Sequence, residues 1–179
     1  MTTETASASA QTEAEAITNK YVGWAIGAGL IPVPLADLAA ITGVQVKMLS
    51  EISKVYGVEF SENRGKSIVL SLIGGLGATS AAVGIVGSVA KLVPGLGSLF
   101  GIATLPIISG AITYAVGKTF TQHFESGGTF LTFDAEATKA SFVNEFNSGK
   151  DKVIEIAKDA DSKIDSLSDT IESKLNPSS

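Results

Sequence analysis

The sequence predicts an all-α protein: an apolar helical hairpin embedded in a membrane, flanking amphipathic helices, and a charged C-terminal helix. Three observations lead there. Ser67 to Ala90 carries no charged side chain, and neither does Leu92 to Gly117; Lys91 alone separates them. At about 1.5 Å per helical residue, each stretch is long enough to cross a hydrocarbon layer roughly 30 Å thick. Around them, apolar residues recur at helical rather than alternating spacing.

The elements follow in order. Residues 1–14 are small and polar and are expected to form a disordered tail. From Glu15 a helical pattern begins, with Ile17, Tyr21, Trp24, Ala25 and Ala28 recurring. It stops at Ile31-Pro32-Val33-Pro34, since each proline disfavours helix in the residue before it. A second helix is expected from Leu35 to Tyr56. Leu38, Ile41, Gln45, Met48, Ile52 and Val55 share one face, apolar except for Gln45. Gly57 is placed to end it. Ser61 can cap the next helix, which enters the first uncharged stretch. Pro94-Gly95-Leu96-Gly97 marks a turn, and a returning helix runs from about Ser98 to Phe124, ended by Gly127-Gly128. Asp134 caps a helix to Phe146, with a break at Ser148-Gly149. Lys150 to Leu175 is then a charged amphipathic helix.

These patterns divide the chain into the tail (1–14), a helical membrane-associated domain (15–128) with the hairpin at 67–117, and a C-terminal segment (129–179). Lys91, Pro94, Gly95 and Gly97 would form the hairpin turn. Gly97 and Gly101 form a GxxxG pair suited to close helix packing. Val153, Ala157, Ala160, Ile164, Leu167 and Ile171 fall in alternating three- and four-residue steps, a face for self-association or for a partner. A coiled coil or docked helix, a helix on a membrane surface, and a solvated helix all remain open for this segment.

A buried soluble core is the rival reading of the uncharged stretches. Ten of the 19 glycines lie between Gly74 and Gly117, and Gly74, Gly75, Gly77, Gly84 and Gly87 would each weaken a helix in water. Membrane helices tolerate them because small residues allow close approach. Length favours the bilayer, because a water-facing helix normally shows charge. Lys66 and Lys118 flank one side of the hairpin against Lys91 on the other, placing both termini on the cytoplasmic side of the inner membrane. Tyr21 to Ala36 is too short for a third span; Tyr21 and Trp24 would suit the headgroup level.

Several chemistries are disfavoured. With a net charge of −5 and one arginine, Arg64, the chain has no basic stripe for nucleic acid. It has no cysteine, hence no disulfide or thiolate site, which fits a reducing compartment. Met1 to Gln11 lack basic residues and an apolar run, so no secretory signal is expected. Gly65-Lys66-Ser67 ends like a P-loop, but Phe60 stands where the motif needs glycine. Asp134 to Glu145 has acids where a calcium loop does, but Lys139 replaces its glycine. His123 is the only histidine, with Glu125 alone nearby. No catalytic, cofactor-binding or metal-binding residue is expected, nor an enzyme.

From about Lys20 to Gly128 the chain resembles the YcjF-like family of unknown function. The residues that carry the likeness are Ile31-Pro32-Val33-Pro34-Leu35-Ala36-Asp37, Gln45, Met48 and Tyr56-Gly57. Gly74-Gly75, Pro94-Gly95-Leu96-Gly97, Tyr114, Gly117, Phe124 and Gly127 continue it. The resemblance implies an all-helical, membrane-associated bacterial protein, often fused to or encoded beside a GTPase. It supplies no catalytic residues. The expected role is a non-enzymatic membrane anchor or scaffold for the lipid bilayer and a partner, either a separate GTPase or a second copy of the chain. The alternatives are a soluble oligomer that buries the hairpin between subunits and a membrane-inserting, pore-like protein.

Overall fold

A computed structural model describes residues 2–28, 36–78 and 97–175. They form five helices: α1 (Thr2–Ala28), α2 (Ala36–Val55), α3 (Glu62–Ala78), α4 (Gly97–Glu125) and α5 (Ala135–Leu175). There is no strand among them.

α4 is the centre. α1, α2 and α5 pack around it, while α3 packs on α2 and α5. Cross-helix pairs fix the directions. Glu15 meets Lys118 and Thr18 faces Gly117, so α1 runs antiparallel to α4. Gln45 meets Thr113 and Tyr56 meets Glu125, so α2 runs parallel to it. Gln122 meets Glu145 and Gly110 faces Val153, so α5 returns antiparallel.

Local chemistry sets the helix ends. Gly57 (φ 64°) and Gly127 (φ 80°) each take the left-handed turn after a helix, where a side chain would be strained. The amides of Gly57 and Val58 bond back to the carbonyls of Lys54 and Ser53. Those of Gly127 and Gly128 bond to Phe124 and His123. At the start of α5, Asp134 Oδ1 accepts from the amides of Glu136 (2.9 Å) and Ala137 (3.0 Å), as the capping expectation requires.

Most of the expected α2 face turns inward: Ile41, Gln45, Met48 and Ile52 are buried and Val55 is half-buried, while the Leu38 side chain lies outside the described residues. Below them an aromatic cluster closes one end. Phe120 stacks on Phe133 with ring centroids 4.6 Å apart, and Phe124, Phe130 and Phe60 pack around the pair.

The structure corrects four expectations. First, α1 begins at Thr2, where a disordered tail was expected. Alanines at positions 6, 8, 10 and 14 favour helix, and Ala14 is fully buried. Second, no break occurs at Ser148-Gly149; α5 is one helix of 41 residues. Gly149 lies where a Cβ would stand 2.9 Å from the Ala111 carbonyl oxygen, so it serves close packing rather than a turn. Third, Trp24 is 62% exposed, whereas Tyr21 is buried instead of sharing its surface.

The fourth correction concerns the hairpin. No helix among the described residues is long and apolar enough to cross a membrane. α3 docks on α2 and α5 rather than pairing along α4. The second half of the second stretch is protein core: Pro106, Ser109, Gly110, Ala111, Thr113, Ala115, Val116 and Gly117 are buried. α5 also continues past Val153 toward the start of α4. The turn residues Lys91, Pro94 and Gly95 lie outside the described residues.

Candidate functional site

Three surfaces of the bundle bear on function. The first is the α1–α4–α5 seam. Gly117 Cα faces Thr18 so closely that an added Cβ would stand 2.5 Å from the Thr18 side chain. At Gly110 an added Cβ would meet Val153 at 2.8 Å and Ile26 at 2.9 Å. Gly110 and Gly117 are two helical turns apart and so share a face. That spacing is visible in the sequence, but only against partners on two other helices does it acquire meaning. Charge fastens the rim. Lys118 Nζ donates to Glu15 Oε1 at 2.6 Å, and that hydrogen bond holds the Glu15 carboxyl below the usual range. Lys152 sits over the Tyr114 ring, 5.6 Å from its centroid.

Across α1 and α2, Glu51 accepts from Lys20 Nζ (2.6 Å) and from the Tyr21 hydroxyl (2.7 Å). The Lys20 hydrogen bond lowers the Glu51 pKa against the opposing effect of burial. Burial, then the Glu51 contact, pushes Tyr21 up to about 12. Deeper in, Gln45 Nε2 donates to Thr113 Oγ1 at 3.3 Å. The sequence marked Gln45 as the exception on its face; its partner on α4 could not be read from spacing.

The second surface is the outside of α3. Val69, Leu72 and Leu76 turn inward. Ser67, Leu70, Ser71 and Gly74 turn outward and are exposed. Past Lys66 this face carries no charge, which is unusual for a helix facing water. The third surface is a half-open groove of about 410 Å³ between α2 and α3, flanked by Lys47 and Lys66.

The expected site residues are placed as follows. Gly97 and Gly101 fall in the first turns of α4. Val153 is buried, with Cγ2 directed at Gly110. Ala157, Ala160, Ile164, Leu167 and Ile171 fall on the unbroken remainder of α5. No group of three or more metal-ligating side chains occurs among the described residues. His123 Nε2 lies 3.0 Å from the Thr129 carbonyl oxygen, and its ring packs edge-on to Phe133, a structural setting for the only histidine.

Comparison with known proteins adds a family. Residues 2–148 match the model of a domain of unknown function, DUF697. Magnetosome membrane protein 22 of Magnetospirillum gryphiswaldense is 39% identical over 137 residues, covering 76% of this chain and 70% of that protein. No solved structure matches. The matched span runs through Asn147 and Ser148, past the Gly128 boundary of the resemblance read from the residues. It is the same kind of family: bacterial, membrane-associated, GTPase-associated and of unknown function. The chain therefore belongs to the DUF697 family.

Proposed function

We propose that the protein is a non-enzymatic helical scaffold that associates with the cytoplasmic membrane and presents its bundle to a partner. The observation that carries this reading is the uncharged outer face of α3, where Ser67, Leu70, Ser71 and Gly74 look away from the core. The face carries no charge that a bilayer surface would have to desolvate, and it exposes the apolar Leu70 side chain. The relative whose name places it in the magnetosome membrane supports the same reading.

Association from the cytoplasmic side leaves both termini there. The segment around Lys91, Pro94 and Gly95 would turn within or against the bilayer, with Gly97 and Gly101 packing closely beyond it. The α5 face of Val153, Ala157, Ala160, Ile164, Leu167 and Ile171 would serve its own bundle first and a second copy or a separate GTPase with its final turns.

Fractionation tests the reading. Membranes from cells making the full chain are washed with high salt and then with carbonate. Retention through the salt wash is expected, with release by carbonate marking a surface-bound protein; release by salt alone overturns the reading. Burial of Ser109, Gly110, Ala111, Thr113, Ala115, Val116 and Gly117 inside the chain's own bundle favours a second reading, a helical protein that needs no bilayer, alone or as an oligomer. A monodisperse assembly in detergent-free buffer, absent from the membrane fraction, would establish that one instead.

A further inference from the structure

The groove between α2 and α3 has a mixed chemistry that nothing above uses. Val46 and the Phe60 ring supply an apolar floor, and Lys47 and Lys66 stand beside it. Among the described residues these two lysines have no ion-pair partner, whereas Lys20, Lys118 and Lys139 each do. Glu62 is the one acid lining the groove against the two lysines, and Glu51 acts on Lys47 from outside it. At Gly43 an added Cβ would meet nothing within 4 Å, so the wall there is open. The volume, about 410 Å³, falls within the range of small-molecule sites.

Position adds to this. Lys66 is the last charge before the outward face of α3, so the groove opens at the boundary between charged and uncharged surface. Two exposed lysines beside an apolar lining of Phe60 and Val46 match a molecule with an anionic head and an apolar tail. We propose that this groove binds the phosphate-bearing headgroup of an anionic phospholipid, with Lys47 and Lys66 on the phosphate and the start of the acyl chain over Phe60 and Val46. The proposal rests on the membrane association argued above and assigns that association a lipid preference.

Binding of monomeric short-chain phosphatidylglycerol to the purified full chain tests it, by calorimetry or by shifts in NMR resonances. Short-chain phosphatidylcholine and inorganic phosphate are the comparison ligands. The anionic lipid should bind best. Lys47→Gln and Lys66→Gln should each weaken it about tenfold, the loss of one charge-assisted contact. Gly43→Leu should occlude the groove while improving helix propensity, so lost binding in a folded protein counts as occlusion. Unchanged binding in all three variants overturns the proposal. Inorganic phosphate binding as tightly as the lipid also overturns it, since the acyl contact would then contribute nothing. Retention of the same variants through the salt wash separates the two claims: a variant that stays on membranes but loses the lipid preference leaves the scaffold reading intact.

Discussion

Two sets of helical glycines divide this molecule. Gly110, Gly117 and Gly149 line the seam where α4 meets α1 and α5, and a methyl group at any of them would collide with a neighbour. Gly23, Gly27, Gly43 and Gly74 sit on the outer faces of α1, α2 and α3, and a methyl group there would meet nothing. In the first set the backbone helix penalty is offset by close approach within the protein. In the second no part of the described chain offsets it. The residue type is the same, so the difference lies in what stands opposite.

Substitution should separate the sets sharply. The largest effects belong to the closed set. Gly117→Ala forces a methyl into the buried Thr18 side chain, and Gly149→Ala forces one onto the Ala111 backbone, which cannot rotate away. Each is expected to cost about 2–3 kcal/mol in chemical denaturation. A cost below about 0.5 kcal/mol would mean that the seam is looser than the distances state. Smaller and opposite in sign are the open positions. Gly23→Ala, Gly27→Ala and Gly74→Ala should each stabilise the protein by about 0.5–1 kcal/mol, through helix propensity alone. Loss of stability at any of them would show an unseen neighbour.

The smallest effect is electrostatic and reads the α1–α2 contact. The Glu51 pKa is depressed in the folded protein, so its contribution is present above the ordinary carboxylate value and disappears as pH falls through the folded value. Stability should therefore drop on acidification below about pH 4.5, and Glu51→Gln should flatten part of that drop. The expected change is within about 1 kcal/mol, because the pair remains partly open to solvent. An unaltered acid limb in Glu51→Gln would remove the contact from the account.

The same contrast explains what could be read beforehand. Caps and stops act through adjacent residues, so Asp134, Gly57 and Gly127 were legible. The inward face of α2 was legible because Ile41, Met48 and Ile52 are large and periodic. Gly149 was misread as a break because propensity records the cost of glycine and not the neighbour that requires it. The first turns of α1 were misread for a related reason. Their alanines and threonines bury little area each, and among the described residues of that stretch only Ala14, at its end, is fully buried. The charge-free stretch from Leu92 to Gly117 is expected in lipid, mainly from its length, and its described end from Pro106 to Gly117 lies largely in protein core. Protein and hydrocarbon both exclude charge, and nothing in one helix distinguishes them. The partners that do so, Ile26 and Val153, lie far away in sequence. The α2–α3 groove was invisible for that reason too: Lys47 and Lys66 stand on different helices, and only the fold brings them to one groove.

The unbroken course of α5 has a mechanical consequence. The helix is gripped near its middle, where Gly149 seats against Ala111 and Tyr114. From there to Leu175 it extends roughly 40 Å. An unbroken helix carries a load along its whole length. A load applied at its tip exerts torque on the grip, and the grip sits on the central helix of the bundle.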